Sequence, residues 1–273
     1  MALAGRLRSP RPFALALHVI HDAAVPRGRE EEMKVSKLLE CLAAGIFIYS
    51  VLPTLLVRMG KLGVYRKGRS GVALTFDDGP DPAYTPQLLD LLKAYRVRAT
   101  FFVLGSKALR HPELITRMHR EGHLIGIHNY VHWTNALMTP GKVRRQLRDS
   151  IAVIERITGV QTVYYRPPWG VINIFDLFLL RRVRMVLWSL MVRDWSSNGG
   201  KERIRSELLT KMKSGDVIVL HDSGQTLGAD ENAPCYMLEA LAEVLDECLR
   251  RGFHFLRIDM KMQMEGWLQG RIP

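Results

Sequence analysis

From Gly71 onward the chain alternates short apolar runs with segments whose apolar residues recur every three or four positions. The runs at 72–76, 99–103, 123–127, 162–165, 185–189, 216–220 and 253–258 predict strands, being short, rich in β-branched and aromatic residues, and bounded by turn residues. Helical periodicity fills the intervals at 84–95, 112–120, 140–158, 175–182, 201–213 and 237–251. Punctuation supports these limits: Thr139 and Pro140 suit the start of a helix, and Gly159 its end. Strands that alternate with helices in this way predict a parallel sheet in an α/β fold, and this many units predict a (β/α) barrel, here a distorted one.

The pattern before Gly71 is different. Residues 41–57 form 17 positions without a charge, close to the roughly 20 residues that cross a bilayer. Basic Lys34 and Lys37 precede them and no small-residue cleavage site follows, so the stretch reads as an uncleaved anchor with Met33 as a candidate start. A helix packed on the domain is the alternative. The expected organisation is a basic, poorly ordered leader at 1–33, an apolar helix at 34–58, a basic linker at 59–70, a catalytic domain at 71–258 and a tail at 259–273.

Charge adds little. Of the net +12, residues 1–70 carry +7, from 12 basic and 5 acidic side chains, and the remaining 203 residues carry +5. A basic head beside an apolar segment suits a membrane surface at least as well as nucleic acid, and no nucleic-acid partner is expected. Arg58, Lys61, Arg66, Lys67 and Arg69 follow the apolar run, and the positive-inside tendency would leave the domain cytoplasmic. The three cysteines, Cys41, Cys235 and Cys248, have neither zinc-finger nor framework spacing. Neither GxGxxG nor a P-loop is present, so a nucleotide site has no motif.

Reactive side chains cluster just past the predicted strand ends. Asp77 and Asp78 follow the first, His128 and His132 the third, Arg166 and Trp169 the fourth, Asp194 and Trp195 the fifth, and His221 and Asp222 the sixth. The C-terminal strand ends of a barrel converge on one rim, so these residues would meet. Adjacent aspartates repel, and a cation between them or a shared proton relieves this. Two histidines four residues apart converge if 128–132 makes a helical turn, and with a carboxylate they form a site for zinc or another divalent metal. Such a metal acidifies a water and polarises a carbonyl, a second carboxylate takes the proton, and a protonated histidine serves the leaving group.

Thr75-Phe76-Asp77-Asp78-Gly79-Pro80, His128-x-x-x-His132, Arg166-Pro167-Pro168-Trp169-Gly170, Asp194-Trp195 and Leu220-His221-Asp222 together resemble the five motifs, in order, of the polysaccharide deacetylase family, the carbohydrate esterases with the NodB homology domain. The resemblance covers about two-thirds of the chain. It implies a distorted (β/α) barrel that uses one divalent ion, zinc first and cobalt, nickel or manganese as alternatives, to remove acetyl groups from amino-sugar polymers such as peptidoglycan, chitin-like chains or poly-N-acetylglucosamine. Residue by residue, it implies Asp77 as general base, Asp78, His128 and His132 as metal ligands, and His221 as general acid. It also implies Asp194 as the partner that keeps His221 protonated, Arg166 as the partner of Asp77, the Trp169 backbone N–H as an oxyanion donor, and Trp195 and Leu220 as the wall for the acetyl methyl group.

Asn129 departs from the family's Ser or Thr after the first histidine, and Trp133 and Trp169 are candidates for stacking on sugar rings. The alternatives are an O-acetyl esterase on a neutral polysaccharide and a non-catalytic sugar-binding relative. An envelope polymer as substrate requires a domain outside the membrane, against the direction the basic residues suggest.

Overall fold

The structure, a computed structural model, describes residues 27–60 and 63–267, so residues 1–26 of the expected leader and the last residues of the tail lie outside it. The chain divides into two compact units, residues 1–44 and 45–273. Most of α1 (Arg27–Ile46) belongs to the first, where Val35, Leu38, Leu39 and Leu42 are exposed. A π-helical turn, Phe47–Val51, and α2 (Leu52–Gly60) follow in the second. By length and composition, the helix Glu31–Met59 suffices to cross a membrane.

The second unit is built on eight parallel strands: β1 (Val64–Tyr65), β2 (Ala73–Asp77), β3 (Thr100–Val103), β4 (Leu124–Ile127), β5 (Tyr164–Tyr165), β6 (Arg184–Val186), β7 (Leu190–Met191) and β8 (Val217–His221). They are ordered β1-β6-β5-β4-β3-β2-β8-β7, and every pairing is parallel. β6 and β7 stand near opposite edges of this order, yet only Leu187, Trp188 and Ser189 separate them. A flat sheet would place them roughly 29 Å apart at about 4.8 Å per strand, far beyond the reach of so few residues. The sheet therefore curls until its edges approach. β1 and β7 share no ladder, which leaves a distorted, incompletely closed (β/α) barrel.

The intervals carry helices: α3 (Thr85–Ala94), α4 (Gly105–Arg110), α5 (Pro112–Arg120), α6 (Pro140–Thr158), α7 (Asp176–Leu179), α8 (Gly200–Lys211), α9 (Ala233–Arg250) and α10 (Ile258–Met264). α6 begins where its punctuation predicts, with the Thr139 hydroxyl accepting from the Lys142 N–H, and ends at Gly159 with φ 73°. One continuous core lies between sheet and helices, with Phe76, Phe101, Leu88, Leu92, Ile115, Ile218 and Leu241 fully buried.

Several expectations need correction. Residues 253–258 form no strand: Phe255 makes one bridge to Val72, and Ile258 then opens α10, whose Lys261 and Met262 are buried. α7 is four residues long, and α4 carried no periodic signal, being a single turn and a half. Val64 and Tyr65, in the stretch read as a linker, are buried and pair with β6.

Candidate active site

Parallel strands place their C-terminal ends on one rim. The register sets Asp77, last residue of β2, directly beside His221, last residue of β8. His128 follows β4 and Arg166 follows β5, whose pairing aligns Ile127 with Tyr165. A cavity of about 400 Å³ opens here, lined by Asp77, Asp78, His128, His132 and His221, with Arg58, Trp169, Trp188, Met191, Trp195, Val219 and the 226–229 loop around them.

Asp78 and both histidines form one cluster. The Asp78 Oδ1 lies 3.3 Å from Nε2 of His128 and 3.3 Å from Nε2 of His132, and the three ligand atoms all lie within 4.8 Å of one another. Residues 128–132 do not make the helical turn expected; they form a bent loop with Asn129 at φ 64°, and the two rings still converge, their centroids 5.3 Å apart. The His128 Nδ1–H donates to the Arg166 carbonyl at 2.7 Å, so its Nε2 lone pair faces Asp78. Burial pushes His132 down to about 4, leaving it neutral and able to ligate near pH 7. Burial would raise the Asp78 carboxyl, but the imidazoles of His128, His221 and His132 around it outweigh burial and hold Asp78 well below the usual range. Its Oδ2 accepts from the Thr226 hydroxyl at 2.8 Å, while its buried Oδ1 has no hydrogen-bond partner. A buried carboxylate oxygen without a donor, faced by two imidazole nitrogens, fits a divalent cation.

Asp77 belongs to a second group. The fully buried Arg166 donates to its Oδ1 at 2.7 Å and to the Thr75 hydroxyl at 2.7 Å. The guanidinium is held by the Val186 and Leu187 carbonyls and lies 4.2 Å from the centre of the Phe102 ring. His221 and Asp194 make the third group: Asp194 accepts the His221 backbone N–H at 2.6 Å and its Nδ1–H at 3.1 Å. Burial alone would lower His221, but the charge and hydrogen bond of Asp194, with the charges of Asp78 and Asp77, raise it to about 10. It is an imidazolium at neutral pH.

The apolar residues divide. The Trp195 ring lies edge-on to His221, centroids 5.5 Å apart, and lines the cavity. Leu220 does not line it: alternation along β8 turns Leu220 into the core, fully buried, and gives the cavity wall to Val219. Trp169, at φ 54°, packs edge-on against His132 at 4.3 Å. Trp133 is 61% exposed and lines a neighbouring groove instead.

Several contributors had no motif. Arg58 of α2 reaches the cavity, donates to the Trp169 carbonyl at 2.7 Å and sits 5.7 Å from the centre of the Trp188 ring. Behind Asp78, buried Lys107 donates to Ser223 at 2.6 Å, Ser223 donates to Asp81 at 3.0 Å, and Thr85 donates to Asp222 at 2.5 Å. Burial, first, raises Asp222 to about 7. A Cβ on Gly79 would stand 2.3 Å from the Asp222 carboxylate, so the Asp-Gly-Pro turn admits only glycine there. Asn129 anchors a buried network. It donates to the Trp133 carbonyl and to Asn135 and accepts from the Tyr165 hydroxyl, and Asn135 in turn donates to Asp176. The signal for Arg58 was its spacing from Ser50 and Thr54; Asp81 stands directly after the first motif, and Asp222 is the last residue of the fifth.

Comparisons with known proteins identify the family. A family model described as Polysaccharide deacetylase matches residues 65–176. A peptidoglycan-N-acetylglucosamine deacetylase of Bacillus cereus is 37% identical over 191 residues, which are 68% of this chain and 85% of that protein. The peptidoglycan-N-acetylmuramic acid deacetylase PdaC of Bacillus subtilis is 37% identical over 155 residues, 57% of this chain but 33% of that protein. Among solved structures, a peptidoglycan N-acetylglucosamine deacetylase in complex with 4-naphthalen-1-yl-N-oxidanyl-benzamide superposes with a TM-score of 0.69 at 31% identity, covering 75% of this chain and 94% of that one.

Proposed function

The chain belongs to the polysaccharide deacetylase family and is a deacetylase, and from that premise we propose that it hydrolyses N-acetyl groups of an envelope amino-sugar polymer, peptidoglycan foremost. One observation carries the reading: Asp78, His128 and His132, which could hold a metal ion, face the same cavity as Asp77, backed by buried Arg166, and His221, backed by buried Asp194. Asp78 Oδ1 and the Nε2 atoms of His128 and His132 would hold the ion, and their nitrogen and oxygen donors suit zinc. When bound, a divalent ion lowers the pKa of a water and polarises a carbonyl.

The side chains supply the rest. Asp77, fixed by Arg166, accepts the proton of the attacking water. The Trp169 backbone N–H faces the developing oxyanion, and Arg58 steadies that turn through the Trp169 carbonyl. Trp195, Val219 and Met191 offer the acetyl methyl an apolar wall. His221, held protonated by Asp194, gives its proton to the leaving amine as the carbon–nitrogen bond breaks. Residues 38–57 associate the enzyme with the membrane, on the side where the polymer lies.

Acetate release tests the reading. N-acetylglucosamine oligomers and peptidoglycan fragments should yield acetate, acetylated xylan much less, and a chelator should stop the reaction. Release that persists after chelation would sink the metal assignment, and preference for xylan would favour the O-acetyl esterase.

A further inference from the structure

Residues 49–58 of the apolar run are committed to the catalytic domain. Pro53 has no N–H, so the Tyr49 carbonyl lacks its helical partner and accepts from the Ile174 N–H at 2.7 Å instead. Ser50 and Thr54, one turn apart, both donate to the Ile172 carbonyl, at 2.9 and 3.1 Å, and the Tyr49 hydroxyl reaches the Met138 carbonyl at 2.5 Å. Val57 is buried in the core and Arg58 reaches the cavity. Only residues 38–48 remain as uncommitted apolar helix, about 16 Å at 1.5 Å per residue against a hydrocarbon core of about 30 Å. A helix pinned in this way cannot carry the domain on a free span.

The outer face of the same segment is apolar and exposed, and it continues onto the domain. Ile48, Val51 and Leu52 are exposed beside Tyr49, whose ring lies 6.2 Å from that of Phe175. Phe175 lies 6.4 Å from Phe178, which is 66% exposed, and Leu137, next to the Met138 that Tyr49 engages, is 77% exposed. Just beyond α7, Arg182 shares a groove of about 630 Å³ with Arg144, Arg145 and Arg148 of α6. Among the described residues no carboxylate lies within ion-pairing distance of Arg144, Arg145 or Arg182; Arg148 pairs with Asp149. An apolar ridge bordered by unpaired arginines complements one kind of partner: a bilayer whose headgroups are anionic.

We infer that the catalytic domain itself docks on an anionic membrane surface through Ile48, Val51, Leu52, Leu137, Phe175 and Phe178, with Arg144, Arg145 and Arg182 on the headgroups. The inference rests on the membrane association proposed above and sharpens it. The apolar helix acts as an interfacial wedge that also walls the active site, so the cavity is held beside the lipid and addresses sugar chains close to the membrane.

The test uses the full chain, with Cys41 and Cys235 changed to serine, Phe178 changed to cysteine and labelled with an environment-sensitive dye, and vesicles carrying nitroxide lipids. Leu249→Cys on α9 is the control. With vesicles of phosphatidylcholine and phosphatidylglycerol, quenching at 178 should exceed the control about tenfold, a contact that shallow apolar insertion requires. It should fall to the control level when Arg144, Arg145 and Arg182 are changed to glutamate, while acetate release from a soluble oligomer stays within about twofold, since these arginines touch no reacting group. A chain that floats with vesicles while position 178 stays as unquenched as the control overturns the inference and leaves membrane association standing. A chain that does not float overturns both. A detergent-solubilised dimer that shields position 178 overturns it in favour of a second copy.

Discussion

Asn129 departs from the Ser or Thr of the motif that the sequence resembles, and its backbone explains the choice. At φ 64° it occupies the left-handed region, where asparagine is tolerated and serine is strained. Its amide donates twice and accepts once in a network closed by Tyr165 and Asn135, and a hydroxyl has only one proton to donate. Asn129→Ser should cost about 1–3 kcal/mol, the usual penalty for a buried partner left unmet, read by denaturant unfolding, and should weaken zinc binding. His221 yields a second expectation. Its pKa is raised to about 10, so the acid is present below that pH and activity falls as pH rises through it; an ion on Asp78 opposes part of the rise and brings the limb lower. Asp194→Asn removes the principal raising charge and should move the alkaline limb of the rate profile further down. A limb that stays in place would exclude His221 as the proton donor. The chemistry-bearing residues at this scale were legible because each sits at a strand end in a fixed order. Leu220 was misplaced because a motif records adjacency while a strand alternates faces, which put Val219 on the wall.

The apolar stretch at 41–57 shows what is harder to see at the scale of an element. Averaged hydropathy treats it as one object, a span. Its sparse polar atoms (Tyr49, Ser50, Thr54) instead define a face, and Pro53 frees the carbonyl that the face uses. Nothing in the sequence told that face where its partners lay, because Ile172 and Ile174 are more than a hundred residues away. Short pieces were lost for a related reason: β1 and β7 have two residues each, too few for any period, and only the sheet reveals them. Conversely, α5 and α6 were readable to their ends because proline, glycine and a threonine cap mark them. Replacing Ser50 with alanine and Thr54 with valine adds no bulk but strips the Ile172 carbonyl of both donors and its N–H of an acceptor. This should destabilise the domain by about 2–4 kcal/mol, given about 1–3 kcal/mol for each buried unsatisfied group. Arg58→Ala should spare stability and instead lower kcat/KM about tenfold, a loss of roughly 1.4 kcal/mol from a loosened Pro168–Gly170 turn.

For the whole molecule, the rim is where elements distant in the chain are tied together. β2 brings Asp78, the loop after β4 brings His128 and His132, and the segment after β8 brings Thr226 onto Asp78. Charge and burial are balanced there only in part, since Asp78 Oδ1 is buried without a donor. An ion that binds the folded rim and not the unfolded chain stabilises the fold by about 2.7 kcal/mol at a hundred times its dissociation constant. At about 2–4 °C per kcal/mol for a domain of this size, chelation should lower the melting temperature by roughly 5–10 °C, and added zinc should restore it. Asp78→Ala should abolish that response and activity together, because it removes the only oxygen of the trio. Asp77→Asn should behave differently: it keeps the zinc-dependent melting shift, since Asp77 faces Arg166, and lowers turnover by about 10²–10⁴, the scale of a lost general base. If both variants lost the melting shift equally, the two aspartates would share one duty and the division between base and ligand would fail. The adjacent carboxylates are separable because β2 ends between them: Asp77 still follows the strand toward Arg166, and Asp78, at φ 75°, turns away toward the histidines.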